Sequence, residues 1–199
     1  MVRSIWSCCL HFPLFEINLG AKMFFFKRHI KQGEEIGNLI NLLLRSTVTG
    51  TSLDRNRNVY SSLPTEFFID SYVGGFIHSY VGNAIHLGLG GANWSSQKKG
   101  ECVYRALEVV DPTGTLNQSL IGQTPRDQDL YVQGGNDGTT VMGVVYGVLR
   151  PDDPDPKVAD AHKLSDKLVA TGSASSAKEA LALAVAIVTL REYIFGKWG

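Results

Sequence analysis

Cysteine is scarce in this chain: three in 199 residues, two of them the neighbours Cys8 and Cys9. So few cannot build a disulfide framework, and a reducing, cytoplasmic setting is expected. No C-x-x-C and no H-x-x-x-H pair occurs, so the sequence offers no local metal site and no metal is expected.

Net charge is missing too, since nineteen Lys/Arg cancel nineteen Asp/Glu. No overall field recruits an anionic polymer, and nucleic acid is not expected as a partner. The aromatic-plus-basic run Phe24-Phe25-Phe26-Lys27-Arg28-His29 is too short to change that. Residues 1–57 hold eight basic against four acidic residues, an excess spread thinly enough to be solvated surface.

Membrane-length hydrophobic runs are also lacking. Residues 71–92 carry no formal charge but include eleven polar residues or glycines. The run Ala180–Leu190 is eleven residues long, well below the roughly 20 needed to span a bilayer. Membrane insertion is therefore not expected. Repeats and low-complexity tracts are absent as well.

What is present is helical punctuation. Asp155-Pro156 opens one helix, Thr171-Gly172 closes it, and Ser176-Ala177-Lys178-Glu179 matches the capping box that starts the next. Between Ala180 and Leu190 only Thr189 is polar, so that helix must be surrounded by others and should be the centre of the core. Ile36, Leu39, Ile40, Leu43 and Leu44 make one apolar stripe of a helix over residues 34–45, with Glu34 and Glu35 at its favourable end and Arg45 at the other. Residues 46–62 read as a polar surface loop. A long helix is expected from Pro64 to about Leu87, its Gly74, Gly75 and Gly82 implying close backbone packing against the C-terminal helix or residues 139–150. Lys98–Val110 forms a further helix, stopped by Asp111-Pro112. Residues 112–136 look like a long connection with one short helical turn near Leu116–Ile121.

Thr139–Arg150 fits either a strand, in a hairpin turned by residues 134–138, or a helix. The helix is preferred because Val141, Val144, Val145, Val148 and Leu149 all match its period, with Gly143 and Gly147 forming a small-residue groove and Asn136 or Asp137 as cap. The fold class is thus all-α: a compact domain of five or six helices over residues 23–199. Residues 1–22 are a poor signal peptide, interrupted by Pro13 and Glu16. They read as an extension of doubtful order or a mis-assigned start before Met23.

Chemistry has few candidates. Cys102, near the expected start of a helix, is a nucleophile candidate with His78 or His86 as base and Asn93 or Asp111 as orienting group. A small buried hydrophobe is the favoured reading of Cys102, and adjacent Glu101 counts against activation. His78 and His86 stand about 12 Å apart along a helix, too far to share a metal. They read as satisfied, partly buried histidines, whereas His162 should be exposed. Gly134, Gly135, Gly138 and Thr139 are candidates for an anion-cradling loop, but the P-loop lysine is missing and Asp137 would repel phosphate, so an N-cap loop is preferred and no cofactor is expected. The function expected is a non-catalytic interaction or regulatory module that binds a protein partner or a second copy of itself. The alternatives are a thiol-dependent hydrolase or transferase built on Cys102, and a membrane-associated or secreted effector-like protein.

Overall fold

The computed structural model describes residues 28–55, 63–121, 125–174 and 176–199. The expectations placed on residues 1–22, on Cys8 and Cys9, on residues 24–27 and on residues 56–62 lie outside that set. Among the described residues the fold is all-α. In chain order the helices are α1 (Arg28–Val48), α2 (Ser52–Arg55), α3 (Thr65–Phe68), α4 (Ser71–Asn83), α5 (Ser96–Val110), α6 (Thr115–Ile121), α7 (Gln128–Val145), α8 (Pro156–Ala170) and α9 (Ala177–Trp198). Among the described residues nine α-helices stand where five or six were expected, largely because α2 and α3 are single turns.

Two parallel pairs are zipped by glycine. On α1, a Cβ at Gly33 would lie 2.5 Å from the Cys102 carbonyl oxygen of α5, and one at Gly37 would lie 2.7 Å from that of Ala106. Asn41 continues the seam, its Nδ2 donating to the Val109 carbonyl at 2.9 Å. On α7, Gly134 faces the Tyr72 carbonyl of α4 and Gly138 faces that of Phe76, each with no room for a Cβ. Gly75 of α4 returns the contact against the Tyr131 carbonyl. Partner numbers rise together in both pairs, so the helices run parallel.

The last helix completes the core. From Ala180 to Leu190 every residue is buried or half-buried, with α1, α7 and α8 packed around α9. The expected punctuation holds: Asp155 accepts from the Lys157 amide at 2.9 Å, Gly172 takes φ +67°, and Ser176 Oγ accepts from the Glu179 amide at 3.2 Å.

Elsewhere packing overrode local signals. The expected long helix from Pro64 breaks at Ile69-Asp70, because the Asp70 carboxylate captures the Val73 amide at 2.9 Å and starts a new helix, α4. That helix then ends in a π turn, Ala84–Gly88. Helix α1 begins no later than Arg28, so Glu34 and Glu35 sit beyond its first turn and gain little from its dipole. Thr47 and Thr51, expected on the surface, are buried, their hydroxyls donating to the Leu44 and Val48 carbonyls. The long connection is mostly helix, and α7 starts eleven residues before the expected Thr139. Gly82 meets nothing within 4 Å, and Gly143 and Gly147 form no groove: Leu149 covers the first, and the second takes φ +69° just past the helix end. His162 is half-buried rather than exposed, and its Nε2 has no hydrogen-bond partner.

Candidate functional site

Cys102 lies two turns into α5, since Ser95 caps that helix by accepting from the Lys98 amide. The thiol is therefore away from the helix end that would have activated it. It is wholly buried, and burial pushes its pKa up to about 11. His78 belongs to the other helix pair. Its Nδ1 lies 2.5 Å from the Tyr131 hydroxyl of α7, and burial lowers its pKa. His86 is exposed on the π turn. Asn93 is exposed in the short turn before α5, and Asp111 is occupied in capping α6, accepting from the amides of Thr113 at 3.0 Å and Leu116 at 2.6 Å. The groups proposed to act together are thus distributed over separate layers of packing.

The glycine segment forms no anion-cradling loop. Gly134, Gly135, Gly138 and Thr139 all lie inside α7, where their amides belong to the helix ladder. Thr139 Oγ1 donates to the Gly135 carbonyl at 2.9 Å and accepts from Asn83 Nδ2 at 3.2 Å. Asp137 caps nothing. Its side chain is buried between helices, where Tyr72 donates to it at 2.5 Å and Lys157 at 3.0 Å.

Asp137 opens a polar network that no local motif announces. A second aspartate, Asp70, accepts from Tyr193 at 3.0 Å and from Lys197 at 2.5 Å. The two Asp–Tyr–Lys sets join through their tyrosines. Desolvation raises both phenol pKa values, reinforced by Asp137 at Tyr72 and by Asp70 at Tyr193, so each hydroxyl remains a donor. The partners lie 65 and 123 residues apart for the tyrosines. The only hint in the sequence is a carboxylate set among glycines and valines on α7.

The surface offers a different kind of feature. The Tyr146 hydroxyl packs against Gly88 of the π turn, so the ends of α4 and α7 meet. Leu87 next to Gly88, Tyr146 in the contact and Val148 two residues beyond it are 40%, 38% and 63% exposed. Lys178 borders them with its ammonium 4.8 Å above the Tyr146 ring.

Among the described residues no group of three or more His, Cys, Asp or Glu side chains is placed to hold a metal, and no helix is long and apolar enough to cross a membrane. No family model matches the chain, and comparisons with curated proteins and with solved structures returned no match.

Proposed function

We propose that the chain is a non-catalytic interaction module that pairs with a second copy of itself through the joined ends of α4 and α7. The observation that carries this reading is the exposure of the apolar side chains Leu87, Tyr146 and Val148, in or close in sequence to the contact of Tyr146 with Gly88. An apolar patch bordered by a cation over an aromatic ring has the make-up of an interface centre and rim. A formal net charge of zero leaves copies of the chain with no overall repulsion to overcome. The buried, unpaired Cys102 suits a reducing compartment such as the cytoplasm.

Sedimentation velocity over a concentration series tests the pairing. The parent chain associates, whereas Val148→Asp and Leu87→Asp each weaken association by about tenfold or more at unchanged helicity. A chain that stays monomeric at every concentration, or variants that associate like the parent, ends the proposal.

A further inference from the structure

A second feature lies against the α1/α5 pair, its Leu89 two residues along the chain from Leu87 of that patch. Arg28, His29 and Gln32 of α1, Lys98 of α5, and Leu89 and Trp94 from the stretch between α4 and α5 line a half-open cavity of about 260 Å³. Its chemistry is mixed in a definite way. Arg28 and Lys98 bring two cations to the rim. Glu101, which contacts the lining residue His29, is already engaged: it lies 2.5 Å from His29 Nε2 and accepts from Gln97 Nε2 at 2.9 Å. The His29 ring in turn stands edge-on to Trp94, centroids 6.4 Å apart and planes at 74°. Trp94 and Leu89 supply an apolar wall. Gln32 Oε1 is buried without a hydrogen-bond partner and has almost no accessible surface, so this acceptor is not open to a ligand in the cavity.

We propose that this cavity binds a small organic anion with an aromatic apolar body. The anionic group sits between Arg28 and Lys98, and the apolar body lies along Trp94 and Leu89. The volume is just below the usual range for ligand sites, and the half-open mouth leaves part of a two- or three-ring molecule in solvent.

Anilinonaphthalene sulfonate carries both features, an anion and aromatic rings, and brightens on binding, so it is the probe of choice. The neutral relative N-phenylnaphthylamine lacks the anion, and sulfate lacks the rings. The full chain is expected to bind anilinonaphthalene sulfonate saturably and to bind each of the other two at least about tenfold more weakly. Arg28→Glu and Lys98→Glu, whose side chains are exposed, each weaken the probe by about tenfold at low salt, with unchanged melting. Val148→Asp leaves this binding intact, which separates the cavity from the apolar patch. Absence of saturable binding up to about 1 mM, equal binding of the neutral relative, or an affinity indifferent to both charge reversals overturns the assignment.

Discussion

The rings of Tyr72 and Tyr193 lie stacked, with centroids 3.9 Å apart and planes 15° from parallel, and their hydroxyls serve different aspartates. This contact ties α4 to α9 beside α7, the parallel partner of α4. Around it, Asp137 of α7 holds Lys157 of α8, and Asp70 at the start of α4 holds Lys197 of α9. Four helices, α4, α7, α8 and α9, are thereby tied together by two carboxylates.

The two halves of the Asp137 set should fail unequally. Asp137→Ala leaves the buried Tyr72 hydroxyl with only the Thr189 carbonyl, a long 3.4 Å away, and is expected to cost about 2–4 kcal/mol. Lys157→Ala should cost less than about 1 kcal/mol, because its side chain is 35% exposed and solvent weakens the pair, against 11% for Asp137. Urea unfolding measures both. Equal costs would show that Asp137 serves the lysine more than the tyrosine.

His78 predicts the direction of an acid response. Burial lowers its pKa below the ordinary 6.5, so the unfolded chain takes up a proton that the folded chain resists. The associated stability is complete above 6.5 and is lost as pH falls from there through the folded pKa. Between about pH 7 and pH 5 the parent should therefore lose more stability than His78→Gln, which keeps a partner for Tyr131 and cannot titrate. Denaturant midpoints across that range decide it, and parallel losses would remove His78 as a cause.

Much of this fold was legible where the cause was local. Asp155-Pro156, Gly172 and Ser176 mark helix ends through their own backbone and side-chain chemistry, and the charge-free run from Ala180 told correctly of a surrounded helix. Residues 128–138 were misread because four of them are glycine or the turn-former Asn, and local propensity cannot know that a neighbouring backbone needs that space. The break at Asp70 was hidden for a similar reason, since its carboxylate also answers Tyr193 and Lys197 more than 120 residues away. The Leu87–Tyr146–Val148 patch likewise depends on where two helices end together, which periodicity alone does not state.

Cys102 should behave as a sealed thiol. With its pKa pushed up to about 11 and no exposure, reaction with a disulfide reagent at about pH 8 requires the chain to open first. In a Cys8→Ser, Cys9→Ser background, labelling should be at least about a thousandfold slower in the native protein than in denaturant. Rapid native labelling would place the thiol on an accessible face and revive it as a nucleophile.

Glycine-to-alanine changes test the zipped pairs most directly, because opposite signs are expected within one pair of helices. Gly82, on α4, is exposed with nothing within 4 Å of a Cβ, so Gly82→Ala should stabilise by about 0.5–1 kcal/mol through lower unfolded-state freedom. Gly134→Ala and Gly138→Ala gain the same local benefit but drive a methyl into the Tyr72 and Phe76 carbonyls. Backbone must move in response, and a net loss of about 1–3 kcal/mol is expected from each. Because both glycines line a single seam, the double variant should cost less than the sum: once α4 and α7 have separated for one methyl, part of the space for the second exists. Thermal and urea unfolding of the four variants read out these signs. If Gly134→Ala were as stabilising as Gly82→Ala, α7 would not lie against α4 at that point, and the parallel pairing would have to be redrawn.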